Sequence, residues 1–270
     1  MLLKTYLLNL QMGLKPLVKW SGGKSDELEY IKKHIPEEYN LYLEPFVGGG
    51  SLFFDIQPTK AVISDIHQEL ISFYQSIKAG LGGEIYNFMQ TTPNDSSTYY
   101  RIRDHTSFNT LVDVASRFYY QRKTCYRGML RYNKKGRFNI PFGNYKKINY
   151  SDLLNDEYHK ILQNTDVMCT DYTRIFDEYS CPDNFMFLDP PYDGPFTDYG
   201  YCKFDKDDHI ELAFRFKNTR IKCLMVIGKT PFIEELYDGY IVERYIKNYK
   251  FKIHSGRVNG INEHLIIKNY

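Results

Sequence analysis

The tetrapeptide Asp189-Pro190-Pro191-Tyr192 directly follows an apolar run, residues 185–188, that is typical of a buried strand. In an open α/β sheet, ligands bind beyond the carboxyl ends of the strands. Because proline fixes φ and donates no N–H, the Asp189 carboxylate and the Pro190 carbonyl can be held facing one point. Two such acceptors suit an exocyclic amino group, and Tyr192 offers a flat face for stacking a base. The motif therefore predicts chemistry on the amino group of a base, with a simple turn as the alternative.

A second candidate site is the segment Glu44-Pro45-Phe46-Val47-Gly48-Gly49-Gly50-Ser51, at the end of a predicted strand, residues 41–46. Its glycines allow a sharp turn and a close approach of the backbone to a ligand. Asp65 follows about 20 residues later, near the end of the next predicted strand, residues 61–66. An acid at this spacing can accept hydrogen bonds from both ribose hydroxyls of an adenosine-bearing cofactor. The alternatives are a plain tight turn and a helix N-cap.

Basic residues are concentrated in one stretch of the chain. The whole chain has 35 Lys and Arg against 33 Asp and Glu, a net charge of +2, yet residues 114–151 contain ten cations and no acid. Nine aromatic residues are interleaved with these cations. Cations contact phosphates while aromatic rings stack on bases, so the stretch predicts polyanion binding. A solvated basic face is the alternative, and we expect Phe118 and Tyr119 to be buried.

The elements that must position these residues alternate between strands and helices. Further strands are predicted at 166–170, 185–188 and 223–227, and helices at 69–79, 83–90, 112–121 and 209–216. Residues 133–147 contain three glycine or proline breaks, which favour a hairpin or loop. Residues 241–245 and 264–268 could pair as a closing antiparallel hairpin. We therefore predict an α/β fold with a doubly wound, mostly parallel sheet formed by 1–67 and 156–270, interrupted by an inserted, mainly helical domain at 68–155.

Composition excludes several other classes of protein. The chain of 270 residues is 43% hydrophobic and 25% charged, which is ordinary for a globular domain with a core. Its five cysteines form no C-x-x-C pair, so we expect neither a zinc cluster nor a disulfide scaffold, and reduced thiols fit a cytoplasmic setting. Residues 1–12 are apolar but lack a basic start and a cleavage site, and no run approaches the ~20 apolar residues of a membrane span. We expect no membrane partner and no metal.

In this order, the glycine turn, Asp65 and Asp189-Pro190-Pro191-Tyr192 resemble the S-adenosylmethionine-dependent DNA adenine-N6 methyltransferases of the α group, and most closely the Dam type. The resemblance covers nearly the whole chain. It includes Lys19-Trp20-Ser21-Gly22-Gly23-Lys24, Arg131-Tyr132-Asn133, Pro141-Phe142-Gly143, Tyr145-Lys146-Lys147, and Asn259-Gly260 with Asn262-Glu263. It implies a Rossmann-like methyltransferase sheet, a DNA-recognition domain at 68–155, S-adenosyl-L-methionine as cofactor and double-stranded DNA as partner. The implied reaction transfers a methyl group to adenine N6, at GATC, with the base flipped out of the duplex.

The resemblance also implies a role for individual residues. Asp189, Pro190, Pro191 and Tyr192 are implied as catalytic. The implied cofactor contacts are Trp20, Lys24, Glu44, Pro45, Phe46, Gly48, Gly50, Asp65, Asp171 and Asp189. Lys19 is expected to read the outer guanine of GATC, Tyr126 to wedge into the duplex, and Arg131 to read a second guanine bidentately. The implied DNA contacts are Lys19, Arg122, Tyr126, Arg127, Met129, Arg131, Asn133, Pro141, Tyr145 and Lys146.

Two positions depart from the family pattern. Arg127 stands where a small polar residue is common, and Met129 where leucine is common, so methylation of another short site is the alternative to GATC.

Other functions fit the sequence less well. Methylation of cytosine N4 is one alternative, but those enzymes usually have Ser in place of Asp189. Methylation of RNA or of a protein amide is another, but it leaves the 131–147 match unexplained. A catalytically idle DNA-binding relative would have lost cofactor binding, and a dehydrogenase would need G-x-G-x-x-G. A restriction endonuclease acting on the same site is a possible partner.

Overall fold

The computed structural model describes residues 13–105, 107, 110–133, 135–193, 203–248 and 261–270. Residues 1–12, Lys134, Cys202 and the Asn259-Gly260 motif, all of which entered the sequence analysis, lie outside the described residues.

One sheet of seven strands organises the described part of the chain. The strands are β1 Leu41–Glu44, β2 Ala61–Asp65, β3 Thr165–Cys169, β4 Asn184–Leu188, β5 Lys222–Gly228, β6 Ile241–Asn248 and β7 Ile261–Lys268. Their order across the sheet is β3-β2-β1-β4-β5-β7-β6. The first five of these are mutually parallel, whereas β7 runs antiparallel to both β5 and β6. The predicted doubly wound sheet and its antiparallel C-terminal hairpin are therefore confirmed.

The strand order places the two predicted sites side by side. The chain runs outward from β1 through β2 to β3 and then returns to β4, which pairs with β1. Such a reversal opens a crevice at the carboxyl edge of a parallel sheet. Because β1 and β4 are direct neighbours, the segments that follow them, 45–51 and 189–192, leave the sheet at this crevice. All residues of β2 and of β4 are buried, which explains why residues 185–188 of β4 are continuously apolar.

The described ranges contain ten helices, several of which lie in the segment between β2 and β3. They are α1 Leu28–Lys32, α2 Ser51–Ile56, α3 Gln68–Lys78, α4 Gly82–Thr91, α5 Ser96–Asp104, α6 Leu111–Thr124, α7 Asp156–Gln163, α8 Tyr172–Glu178, α9 Lys206–Asn218 and α10 Pro231–Leu236. Short 3₁₀ turns cover Tyr126–Gly128 and Ser151–Leu154. The helices predicted near 69–79, 83–90, 112–121 and 209–216 are confirmed as α3, α4, α6 and α9. The sequence analysis did not predict α5, which begins after Asp95, where the carboxylate accepts a hydrogen bond from the Thr98 N–H at 2.8 Å.

The segment between β2 and β3 is mainly helical and ends in an irregular loop. This loop contains the isolated antiparallel bridge of Tyr132 with Phe138, and a second bridge joins its Phe142 to Cys125 at the end of α6. Phe118 and Tyr119 of α6 are buried, as predicted. They belong to one hydrophobic cluster with Tyr42 of β1, Ile63 of β2 and Phe185 of β4. The helical segment therefore shares its core with one face of the sheet, and the functional boundary at 67/68 stays a prediction.

Candidate active site

Asp189 follows β4 and forms an ion pair with Lys24. The Lys24 Nζ atom lies 2.6 Å from both Asp189 Oδ1 and Oδ2, and it also donates to the Gly22 carbonyl at 2.6 Å. Burial raises the pKa of the Asp189 carboxyl, while the neighbouring Lys24 charge opposes that rise. The Lys24 side chain is buried, whereas the Asp189 side chain is 20% exposed. The sheet edge thus presents an acceptor that a ligand can reach, backed by a buried cation.

Tyr192 is held against the sheet next to this ion pair. Its ring lies over Gly228 of β5, where an added Cβ would come within 3.0 Å of Tyr192 Cδ2. His264 of β7 meets the ring edge-on, with centroids 5.3 Å apart, and Lys24 Nζ lies 5.1 Å from its centroid. Pro190 is buried and Pro191 half-buried. The predicted motif therefore brings the Asp189 carboxylate and the Tyr192 ring together at one edge of the sheet, both close to Lys24 Nζ.

The glycine turn after β1 packs against Trp20. Gly48 and Gly50 adopt positive φ angles of 47° and 67°, which glycine accommodates without steric cost. A Cβ on Gly48 would lie 2.5 Å from Trp20 Cδ1, so only glycine lets the indole approach. The Gly48 N–H donates to Asp65 Oδ2 at 3.1 Å. The predicted residues Trp20, Gly48 and Asp65 are therefore brought together.

Asp65 ends β2 with both carboxylate oxygens partly engaged. The His67 N–H donates to Oδ1 at 2.9 Å, opposite the Gly48 bond to Oδ2, and burial raises the pKa of Asp65 to about 6. Each carboxylate oxygen has a further lone pair for a ligand hydroxyl. The next residue, Ile66, is 46% exposed and was missed by the sequence analysis. The available signal in the sequence was an aliphatic residue directly after a strand-terminal acid, and an acid beside exposed apolar surface could hold a ribose and its base.

Glu44 lies beneath the turn rather than on the open edge. It is buried, accepts a hydrogen bond from the Tyr42 hydroxyl at 2.6 Å, and has its pKa raised by burial to about 8. The adjacent Pro45 is buried, and the half-buried Phe46 ring stacks on Tyr172 with centroids 5.2 Å apart. The Glu44 carboxyl is therefore placed to support the turn.

Asp171 lies at the same sheet edge, after β3. Its side chain is exposed and caps α8, accepting a hydrogen bond from the Thr173 N–H at 2.9 Å. The N-cap uses one carboxylate oxygen, so the predicted cofactor contact stays a prediction for the other.

Exposed predicted DNA contacts cluster around the turn Tyr126–Gly128. Lys19 is exposed and lies beside this turn, where a Cβ added to Gly128 would come within 3.2 Å of Lys19 Cδ. Tyr126 is 43% exposed, and its N–H donates to the Pro141 carbonyl at 2.8 Å. Arg127 has a positive φ of 55° and is exposed, with its guanidinium 5.2 Å from the Tyr126 ring centroid. The turn and the neighbouring Lys19 thus present the Tyr126 ring and two cations, Arg127 and Lys19, on the same exposed surface.

The remaining predicted DNA contacts divide between exposed and supporting positions. Arg131 and Lys146 are exposed, and Arg131 Nε donates to Asn139 Oδ1 at 2.8 Å. The Asn133 side-chain oxygen accepts from the Lys135 and Arg137 N–H groups, so it shapes a turn. Met129 and Tyr145 are half-buried.

Arg122 was predicted to contact DNA, but its side chain is buried. Its side chain is 2% exposed, and the guanidinium donates hydrogen bonds of 2.6 Å to the carbonyls of Lys19, Gly128 and Met129. A buried cation needs such acceptors, because its charge is otherwise costly to desolvate. Arg122 therefore holds the Lys19 segment to the turn instead of facing DNA.

The described ranges were searched for metal-binding groups and for membrane-spanning helices. They contain no group of three or more His, Cys, Asp or Glu side chains that could hold a metal ion. Within them, no helix is both long and apolar enough to cross a membrane.

A mostly parallel sheet with antiparallel C-terminal strands, bearing Asp-Pro-Pro-Tyr beside a glycine turn, defines the class of Rossmann-like methyltransferases. Residues 20–254 match the family model of D12 class N6 adenine-specific DNA methyltransferases, and the chain belongs to this family. It is an adenine-specific DNA methyltransferase.

Named relatives match most of the chain. The type II methyltransferase M.CviBI of Paramecium bursaria Chlorella virus NC1A is 53% identical over 261 residues, covering 95% of this chain and 100% of the relative. The type II methyltransferase M.MjaIII of Methanocaldococcus jannaschii is 33% identical, covering 96% and 100%. The DNA adenine methylase of Vibrio cholerae is 33% identical, covering 83% and 85%.

Proposed function

We propose that this protein transfers a methyl group from S-adenosyl-L-methionine to adenine N6 at a short site in duplex DNA, after flipping the adenine out of the helix. The observation that carries the proposal is the juxtaposition of Asp189-Pro190-Pro191-Tyr192 with the glycine turn across the neighbouring strands β1 and β4. One segment offers acceptors for an amino group, and the other leads to a nucleoside site at Asp65. Both reactants of a methyl transfer can therefore meet at one crevice.

The residues of the crevice fit an adenosine-bearing cofactor. Asp65 keeps acceptor positions for two ribose hydroxyls, and Ile66 provides apolar surface for the adenine. Trp20 closes the glycine side of this pocket through its contact with Gly48. When bound, S-adenosyl-L-methionine supplies an electrophilic methyl group on a sulfonium. We assign Asp65, Ile66 and Trp20 to its adenosine half.

Asp189 and Pro190 orient the target amino group. Adenine N6 is a weak nucleophile because its lone pair is delocalised into the ring. Hydrogen bonds from its two N–H groups to the Asp189 carboxylate and the Pro190 carbonyl direct the lone pair toward the methyl group, while Tyr192 stacks on the base. The Lys24 ammonium favours the ionised form of Asp189, which is the form that accepts hydrogen bonds, and so opposes the rise in pKa that burial causes. We assign Asp189 a positioning role.

Extrusion of the base requires energy from the DNA contacts. Unstacking and unpairing one nucleotide costs a few kcal/mol. The 43% exposure of Tyr126 supports a role for its ring in occupying the vacated stack, and the exposure of cations such as Lys146 supports contacts to phosphates. These contacts offset the cost of flipping.

GATC is the first candidate site, on the resemblance of Lys19, Tyr126 and Arg131 to Dam-type readers. One observation favours a different short site as the second candidate. Arg127, which departs from the Dam-type pattern, is exposed next to Tyr126 and Lys19, so its guanidinium can reach a base edge. The relative at 53% identity is named a type II methyltransferase, which supports work beside a restriction endonuclease that cleaves the same site.

The deciding experiment supplies purified protein with labelled S-adenosyl-L-methionine and a set of duplexes, one containing GATC and others differing by one base. N6-methyladenine is then mapped by sequencing. Methylation confined to GATC supports the first candidate, and methylation of another motif supports the second. Cofactor binding without methylation of any adenine duplex would refute the proposal, and loss of cofactor binding would identify a catalytically idle relative.

A further inference from the structure

Glu27 is a buried carboxylate outside both the Asp-Pro-Pro-Tyr motif and the glycine turn. Its side chain is 2% exposed, and although Glu27 is the N-cap residue of α1, its carboxylate makes no capping hydrogen bond. Its Oε2 accepts hydrogen bonds from the Tyr245 hydroxyl at 2.5 Å and from His264 Nδ1 at 2.6 Å, and its Oε1 lies 3.0 Å from Lys247 Nζ. Three donors from β6 and β7 therefore converge on one carboxylate.

These contacts keep Glu27 ionised and fix the ring of His264. Burial alone would raise the pKa of Glu27, but the hydrogen bond from His264 and the charge of Lys24 are the largest opposing effects, and the pKa is lowered to about 2. Because an ionised carboxylate can only accept, the proton of this hydrogen bond lies on His264 Nδ1. A buried network whose members are all hydrogen-bonded holds them in one arrangement.

His264 in turn borders the ring of Tyr192. In the sheet, His264 pairs with Gly228 of β5 on one side and with Tyr245 of β6 on the other. Because Gly228 has no side chain, the Tyr192 ring occupies its place in this row, with Cδ2 3.0 Å from the position of an added Cβ. The Tyr192 and His264 ring planes are nearly perpendicular, with centroids 5.3 Å apart, which is a favourable arrangement of aromatic rings. The orientation of His264 therefore limits the orientation of Tyr192.

One turn of the chain contacts the catalytic motif at two points. The Glu27 N–H donates to the Lys24 carbonyl at 2.8 Å, so the two residues belong to the same turn. Lys24 pairs with Asp189, and its Nζ lies 5.1 Å from the Tyr192 ring centroid. Glu27 reaches the same ring through His264. The turn before α1 thus supports both the carboxylate and the aromatic ring of the motif.

We propose that Glu27 and His264 are positioning residues for methyl transfer: Glu27 fixes the His264 ring, and His264 holds Tyr192 in the orientation that stacks on the flipped adenine. The inference rests on the proposed function. His264 is 1% exposed, so it acts through Tyr192 rather than on the base itself. In-line transfer tolerates little misalignment, since a displacement of about 1 Å can lower the rate about 100-fold. Loss of this support should therefore lower kcat without weakening cofactor binding.

The first test compares two substitutions of Glu27. Glu27→Leu keeps the approximate size of the side chain but removes both acceptor oxygens, and it should lower kcat by roughly 10- to 100-fold. Glu27→Gln can still present one oxygen to His264 and Tyr245, so it should recover most of that loss. In both variants, the dissociation constant of S-adenosylhomocysteine, an unreactive cofactor analogue, should stay within twofold of the unmodified protein.

The matched control is Glu243→Leu. Glu243 also lies on the β6–β7 hairpin and is also paired with a histidine, since its Oε2 lies 2.7 Å from His34 Nε2, but it is outside the network around Glu27. The same substitution there removes the same kind of pair. Its kcat should stay within twofold of the unmodified protein.

Two further measurements separate positioning from a general loss of structure. With 2-aminopurine in place of the target adenine, stacking on Tyr192 quenches the fluorescence of the flipped base, so Glu27→Leu should give a brighter complex than the unmodified protein. In a Tyr192→Ala background, Glu27→Leu should cause less than a twofold further loss of kcat, because both substitutions act through one ring.

Tyr245→Phe covers the case in which Glu27→Leu does not fold. It removes one donor to Glu27 but keeps the ring that stacks on Tyr30 with centroids 4.3 Å apart, and it should lower kcat by about 2- to 10-fold, the equivalent of one hydrogen bond.

Two results overturn the inference. One is a Glu27→Leu protein, or Tyr245→Phe in its place, that turns over as fast as Glu243→Leu. The other is a loss of kcat in the Tyr192→Ala background as large as in the unmodified protein. Either result leaves the proposed function standing when the unmodified protein methylates DNA in the same preparation. A preparation that binds the cofactor and methylates no duplex refutes the proposed function and this inference with it.

Discussion

Affinity for the cofactor should depend on pH through Asp65. Burial raises the pKa of this carboxyl to about 6, so the carboxylate is protonated as the pH falls below that value. Ribose hydroxyls donate to the ionised form, which favours binding at higher pH. The affinity should therefore be full above about pH 7 and about tenfold weaker at pH 5, because one pKa unit corresponds to a tenfold change.

Isothermal titration calorimetry with S-adenosylhomocysteine between pH 5 and pH 8 measures this dependence. Asp65→Asn is the control, since it keeps the shape but removes the charge and one acceptor oxygen. It should weaken binding at pH 7.5 by about 2 kcal/mol, the usual worth of a hydrogen bond to a charged group, and abolish the step near pH 6. His67 does not interfere, because its pKa of about 3 lies below this window. Equal affinity at pH 5 and pH 7.5, or an Asn variant with the same step, would refute the reasoning.

Three further expectations concern catalysis, recognition and stability. Asp189→Asn should lower kcat by about 100-fold or more while the DNA dissociation constant stays within twofold; unchanged turnover would remove Asp189 from the reaction. Arg131→Ala should reduce discrimination between bases at one position by about 1–3 kcal/mol. Lys146→Ala should instead weaken binding to all duplexes equally, and it should lower the slope of log binding constant against log salt concentration by about one. Filter binding at several salt concentrations measures both effects. Glu44 has a native pKa of about 8 against an ordinary 4.5, so the native state retains a proton that the unfolded state releases. Stability should therefore fall as pH rises from about 4.5 to 8, by up to about 1.4 kcal/mol per pH unit, and Glu44→Gln should flatten that decline in urea titrations.

Local sequence sufficed for the framework of the sheet. The apolar runs at β2, β4 and β5 are long enough to indicate buried parallel strands, and the structure confirms each within one or two residues. The antiparallel pairing of β6 with β7 was also predicted, from the two short segments 241–245 and 264–268 near the end of the sequence. α5 was missed because its residues are mostly polar, and only its cap at Asp95 signals where it begins.

The site was predictable as a set of motifs but not as a geometry. The Lys24–Asp189 ion pair joins residues 165 positions apart, so only the completed sheet reveals it. The buried position of Arg122 could not be predicted from the sequence either. Counting cations gives it the same weight as Arg131, yet α6 extends to Thr124 and aims Arg122 inward at backbone carbonyls. Burial and long-range acceptors, rather than residue type, separate a supporting arginine from a reading one.

The shared hydrophobic cluster has a consequence for how recognition can change over evolution. Tyr99, Phe118 and Tyr119 of the helical segment pack in the same cluster as Ile63 and Phe185 of the sheet. A chimaera cut at 68 and 155 would therefore split one interior and leave large apolar surfaces facing water on both pieces. New sequence preference in this lineage should accordingly arise by substitution within the exposed loop around residues 126–147, and an engineer should graft that loop instead of exchanging whole segments.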